Sequence, residues 1–278
     1  MNESVLSIPL PNATTGTAAG AGALQTAARA WFLIAVAGQW LFAAYVASFY
    51  GGVALTGDLS GWNAEPPRGY VEGQVFENFV VGAHLALAFV VLVCGPLQFS
   101  RALRTRLPRL HRLNGRVYMV TAIVTSLAGV YMLATRGTVG DGTLHMATSF
   151  NALLILSFAA LAWRTALQRD FATHRIWVMR LWLVVGGVWF FRVGFMFWVA
   201  WNQGAVGFDM QTFSGPAITI LGFGQTLVPL ALLQLYLHAE RSTQPLVRYT
   251  VAGVIGAATV VMSFGIFAAA NKMWLPHL

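Results

Sequence analysis

Four histidines and a handful of arginines hold most of the chemistry open to this chain. His84 and His145 lie in apolar runs, and His111 and His174 each stand in a His-Arg pair at the start of a later run. Imidazoles facing one another in pairs across a helical bundle form the ligand set of b-type haem. Two pairs at opposite faces, His84 with His145 and His111 with His174, would give electrons a route across a membrane. Arginines beside them suit haem propionates, which accept bidentate bonds: Arg112, Arg116, Arg175 and Arg180 at the level of His111 and His174, and Arg192 at the level of His84. The competing reading of His111, His174 and His145 is interfacial anchoring, or contact with anionic lipid headgroups. His84 stands deeper, where ionisable residues are costly and usually functional.

Arg192, in VWFFRVGF, is a permanent cation near the middle of an apolar run. Such a charge costs roughly 2.5–3.5 kcal/mol on insertion scales, so something must compensate it. Glu77, Asp141 and Asp209 are the acids within sequence reach; a bound anion, such as a propionate or a substrate carboxylate, is the other compensator. The aromatics around it, from Trp177 to Trp201, would line a flat cofactor or quinone pocket, although aromatics also fill membrane-protein cores and interfaces without binding anything. Gln98, Asn114 and Asn151 are expected to hydrogen-bond between helices.

The elements that position these residues are membrane spans. Of 278 residues, 57% are hydrophobic and 9% charged, against roughly 25% charged in a soluble domain. Seven apolar runs, 29–50, 75–99, 113–135, 143–163, 176–201, 216–238 and 247–270, each reach the ~20 residues that a crossing needs. The sequence therefore predicts an all-α integral membrane protein of seven transmembrane helices, with a central four-helix bundle of spans two to five over about 75–201. Residues 1–28, rich in Ala, Gly, Thr and Ser, lack the basic start and apolar core of a signal peptide. They are expected to be a disordered cytoplasmic tail ahead of a membrane domain over 29–278.

Orientation follows from the loops. Arg101, Arg104, Arg106, Arg109, Arg112 and Arg116 follow span two; Arg164, Arg169, Arg175 and Arg180 stand after span four against Asp170; Arg241 and Arg248 follow span six against Glu240. The alternate loops hold Asp58, Glu65, Glu72, Asp141 and Asp209, with Arg68 and Arg136 as their only bases. The positive-inside rule then places the N-terminus in the cytoplasm and the C-terminus outside, in a bacterial cytoplasmic membrane. The net charge of +8 is this loop signal rather than a nucleic-acid surface. The outer segment 51–74 is long enough for a lid or a plain connector, and its Trp62 and Tyr70 suit an interface belt. One cysteine, Cys94, excludes an internal disulfide and a thiolate cluster and is expected to pack as a small apolar residue.

Spans two and three echo spans four and five: a histidine in the outer part of the first helix, a basic loop, then a His-Arg pair opening the second. At 1.5 Å per residue, His84 lies about 13 Å below the outer end of its span and Arg192 about 15 Å below its own.

The string GPLQF…RLPRLHRLNGRVY from Gly95 to Tyr118, with HRIWVMR at His174 to Arg180, resembles a bacterial membrane-protein family, domain of unknown function 2306. The resemblance spans roughly residues 80–200. It rests on His84, Gly95, Pro96, Gln98, Phe99, His111, Arg112, Gly115, Arg116, Tyr118, His174, Arg175, Trp177, Met179 and Arg180; Val178 stands where the pattern has its methionine, and His145 is not part of it. The family has no assigned activity. In layout the chain is also distantly similar to the dihaem cytochrome b-561 group, whose histidines pair two-with-four and three-with-five. That likeness implies His84 with His145, and His111 with His174.

Three functions are consistent with these residues. One is transmembrane electron transfer through b-haem. A second is a non-enzymatic accessory or binding subunit of a larger membrane complex, holding a quinone, an anionic lipid or a protein partner. The third is a transporter of a small anionic solute centred on Arg192. Nucleotide-loop, zinc-protease and serine-nucleophile signatures are missing from the sequence, which argues against soluble-type catalysis.

Overall fold

The computed structural model describes residues 19–64, 69–137 and 139–278. Among them the chain is all α-helical, apart from an isolated bridge between Asp209 and Ser214. The long helices are α1 (Ala21–Thr56), α2 (Val75–Leu97), α4 (Pro108–Arg136), α5 (Gly142–Leu167), α8 (Pro216–Arg241) and α9 (Pro245–His277). A short helix, α3 (Arg101–Arg106), joins α2 to α4. The fifth expected span is two helices, α6 (Phe171–Val185) and α7 (Gly187–Asn202), bent by 53° at Gly186. Among the described residues six helices are long and apolar enough to cross a bilayer, and the bent pair makes a seventh when counted as one span.

Local chemistry sets the boundaries. Proline opens α4, α8 and α9, where its missing N–H costs nothing and its φ suits the first turn. Asp141 and Asp170 cap α5 and α6 by accepting from first-turn amides, and Ser100 does the same for α3. These caps satisfy donors that have no partner inside a helix.

Three expectations need correction. The first helix starts at Ala21 rather than Arg29, so the last part of the expected tail is helical; its remainder, up to residue 18, lies outside the described residues. The fifth span is broken, because the Gly186–Gly187 pair offers no side chain to hold successive turns in line. Trp62 is not in an interface belt. It is 5% exposed, donates its indole N–H to the Tyr50 carbonyl at 3.0 Å and packs over Gly69 and Gly82.

Spans two to five do assemble in order. α2 pairs with α4, α5 with α6, and α4 lies beside α5; α6 closes the ring by touching α2. In each hairpin a residue opening the second helix reaches a carbonyl of the first: Asn114 Nδ2 donates to Cys94 O at 3.0 Å, and His174 Nδ1 lies 2.9 Å from Ala162 O. After the bend, α7 leaves this ring and packs on α8 and α9, while α9 lies along α1. The core centres on Trp182, 5% exposed, with Phe32, Phe99 and Trp31 at centroid distances of 5.3, 5.5 and 6.1 Å.

Candidate functional site

At the arginine-rich end, His111 and His174 each lie in the first turn of their helix, α4 and α6. The two rings are within electrostatic reach of one another, and Arg104 and Arg112 act on His111 as well. A carbonyl oxygen only accepts, so the 2.9 Å contact with Ala162 O places the His174 proton on Nδ1 and leaves Nε2 as the lone-pair nitrogen. A metal-bound imidazole is oriented in the same way. The arginines divide. Arg112 stays beside His111, and Arg116 is exposed. Arg175 turns to Glu240 of α8 at 3.4 Å, and Arg180 stacks on Trp177 at 4.5 Å while reaching Gln234 of α8 at 3.4 Å.

At the opposite end the histidines take different neighbours. His84 stands nine residues into α2, about 13 Å from its start, and faces Thr125 and Gly129 of α4. His145 stands three residues into α5, about 5 Å from its start, half-buried, just past the Asp141 cap. Arg192 is within electrostatic reach of His84, in keeping with their equal depth.

Among the described residues no acid pairs with Arg192. Its Cζ lies 5.2 Å from the Phe42 ring centroid, and Nη1 donates to the Val188 carbonyl one turn back at 3.4 Å. Among the described residues the one ion pair is Arg175–Glu240. Asp141 and Asp209 are committed to local caps. The Thr143 hydroxyl and Leu144 amide hold the Asp141 carboxyl below its ordinary value, and the Thr212 and Gln211 amides, with the Thr212 hydroxyl, do the same for Asp209. The Phe42 face offsets part of the charge, and such a contact strengthens where water is scarce.

A cavity of about 480 Å³ opens at the arginine-rich end between α1, α6, α8 and α9. Its wall is aromatic, formed by Trp31, Phe32, Phe99 and Trp182. Its rim is polar: Arg29, Arg175, Glu240 and Tyr236, with the Tyr236 hydroxyl donating to Glu240 at 3.2 Å. The size is that of a small-molecule site, and so is the apolar body with a few convergent polar groups. Sequence reading missed it because its wall comes from four helices far apart in the chain. The signal available was Arg29 opening an apolar run and Tyr236 one turn before Glu240.

The bend is held by a buried polar chain. Asn151 Nδ2 donates to Val184 O at 3.0 Å, taking the carbonyl freed by the break, and Thr226 Oγ1 donates to Asn151 Oδ1 at 2.8 Å. Asn151 and Thr226 are 6% and 1% exposed. A Cβ on Gly187 would lie 2.9 Å from the Asn151 amide, and one on Gly186 would lie 3.0 Å from Gln39 Nε2.

A family model described as "Predicted membrane protein (DUF2306)" matches residues 81–236. That range covers α4 to α7 whole and most of α2 and α8, whereas Arg29, Trp31 and Phe32 of the cavity stand before it. No curated protein and no solved structure matches the chain.

Proposed function

The chain belongs to the DUF2306 family of predicted membrane proteins, and from the cavity we propose that it is a non-enzymatic binding subunit of a membrane complex. Its ligand is an amphiphile, a quinone or an anionic lipid. The observation that carries this is the joining of an aromatic wall to a rim with two arginines and one acid. The tail or ring lies among Trp31, Phe32, Phe99 and Trp182, and the polar head meets Arg29, Arg175 and Tyr236. Arginine suits anionic oxygens because its planar fork gives two parallel bonds. The loop charges orient the cavity to the cytoplasmic leaflet of a bacterial inner membrane, with the N-terminus inside, where anionic headgroups attract such a rim. Native mass spectrometry of the detergent-purified chain tests this. A bound amphiphile, depleted at least tenfold in Arg29→Gln/Arg175→Gln, is the expected result; a ligand-free chain overturns it.

One observation favours a second reading, a b-type haem held by His111 and His174. The Ala162 carbonyl fixes the His174 ring with Nε2 as its lone-pair nitrogen, and His111 is within reach. Such a group would supply one-electron transfer. The chain's own part would be to fix the His174 tautomer and to set Arg104 and Arg112 beside the pair. A reduced-minus-oxidised visible spectrum with sharp bands that vanish in His174→Ala supports it; a flat spectrum removes it.

A further inference from the structure

On α4, His111, Gly115, Tyr118, Ala122, Thr125 and Gly129 recur at intervals of three and four and fall within an arc of about 80°. His84, Val91, Gly95 and Gln98 share one face of α2 and its last turn. The two stripes meet. A Cβ on Gly115 would lie 3.1 Å from Gln98 Oε1, one on Gly95 3.0 Å from the Tyr118 ring, and one on Gly129 3.5 Å from His84 Cε1. Each step along α2 is matched by an equal step back along α4, so the antiparallel helices stay in register over the whole seam.

Four side chains on this seam carry a buried polar atom without a protein partner among the described residues: His111 Nδ1, Gln98 Nε2, Tyr118 Oη and Thr125 Oγ1; the His84 ring, at the far end, has the Thr125 backbone as its hydrogen-bond neighbour. Buried polar groups are nearly always satisfied, and each exception calls for an explanation. Four on one seam point to an occupant. The amide nitrogen only donates, the hydroxyls donate, and an imidazole nitrogen donates in one tautomer. Charge agrees with the donors. Arg104, Arg112 and His174 act on His111, and Arg192 acts on His84. At the far end Arg136 donates to Asn78 Oδ1 and to the Gly69 carbonyl, and Glu77 lies on the His84 face of α2. A seam lined by donors and flanked by cations suits anions.

We propose that the seam between α2 and α4 is a permeation path for small monovalent inorganic anions of halide size. From His111 to the level of His84 it runs 18 residues of α4, about 27 Å, close to the ~30 Å of hydrocarbon it must cross. Between Tyr118 and Thr125 it is filled by Ala122 and Val91, 2% and 5% exposed, so the structure is the closed form. The three seam glycines let the side chains of Gln98, Tyr118 and His84 lie directly against the facing backbone, so those side chains occupy the path in this closed form. This goes beyond the amphiphile cavity, which the seam meets only through Trp182.

The test is chloride efflux from proteoliposomes containing the full chain, with potassium and valinomycin to balance charge. Efflux at least tenfold above protein-free vesicles is expected, from the wild type or from the widened Val91→Ala/Ala122→Gly variant. Tyr118→Phe/Thr125→Val, which removes two unpartnered hydroxyls and keeps the shape, is expected to lower it at least fivefold. No efflux in either the wild type or the widened variant overturns the proposal. So does efflux indifferent to the hydroxyl pair.

Discussion

Asn151→Ala should loosen the bent fifth span more than any other single polar truncation in the core. The side chain does two things: Nδ2 satisfies the Val184 carbonyl that the break at Gly186 leaves open, and Oδ1 accepts from Thr226. Removing it leaves a carbonyl and a hydroxyl buried without partners. Interhelical hydrogen bonds in membranes average ~0.6 kcal/mol and reach ~1.7, while an orphaned buried group costs ~1–3 kcal/mol. Both groups sit in residues packed away from lipid and water, so the two effects together come to about 2 kcal/mol, or roughly 30-fold in the unfolding equilibrium. The assay is equilibrium unfolding in mixed micelles, run as a cycle with Thr226→Val. Thr226→Val alone removes one donor and leaves Asn151 bound to Val184, so it should cost about half as much, with a coupling of ~0.5–1.5 kcal/mol between the two. If Asn151→Ala falls within ~0.5 kcal/mol of wild type, or the pair is additive, the polar chain does not hold the bend.

The remaining expectations concern packing, charge and pH. Gly265→Ala should destabilise by ~1–3 kcal/mol, because a Cβ there collides with the Val193 carbonyl oxygen and lies 2.8 Å from Val193 Cγ1, where α9 crosses α7; an unchanged unfolding midpoint would refute that close approach. Phe42→Leu should cost ~1 kcal/mol in the presence of Arg192 and much less in an Arg192→Gln background, since the ring face offsets part of that charge; equal costs in both backgrounds would show that the stacking is incidental. Asp141 titrates below its ordinary 3.8 because the Thr143 hydroxyl and Leu144 amide bind its charged form. A depressed folded value means that its stabilisation is present above about pH 4 and fades as pH falls through the lower folded value. Asp141→Asn should therefore flatten the acid limb of a thermal-stability profile, and an unchanged limb would assign that loss to other carboxylates.

The existence and order of the spans were legible because they rest on one-dimensional quantities, apolar run length and rise per residue; the start of the first span and the break in the fifth were not. The cavity was not, since its wall joins Trp31 of α1 to Trp182 of α6 across 150 residues, and only tertiary packing brings them together. The aromatic neighbour of Arg192 was not legible for a similar reason. Charge suggested Glu77, Asp141, Asp209 or a bound anion, but a carboxylate in a loop gains more from the amides beside it than from a cation that has stayed in the membrane. Phe42, an aromatic among many, gave no sign of its role. The break at Gly186 was visible as a Gly-Gly pair, yet lone glycines and prolines pass through other spans here without a break. What differs is the side-chain amide of Asn151, which supplies the bond that the backbone gives up.

That break connects the two ends of the molecule. Arg192 lies six residues beyond Gly186, about 9 Å along α7. Straightening the 53° bend would carry it sideways by about 7 Å, more than its 5.2 Å separation from the Phe42 ring centroid. On the other side of the same hinge, α6 supplies Arg175, Met179, Trp182 and Leu183 to the cavity, and Trp182 packs on Gly95 and Tyr118 of the α2–α4 seam. The cavity wall, the Phe42 contact of Arg192 and one side of the seam therefore depend on a single angle. Asn151 and Thr226 hold that angle from α5 and α8, and a change at either should reach all three before it unfolds the protein.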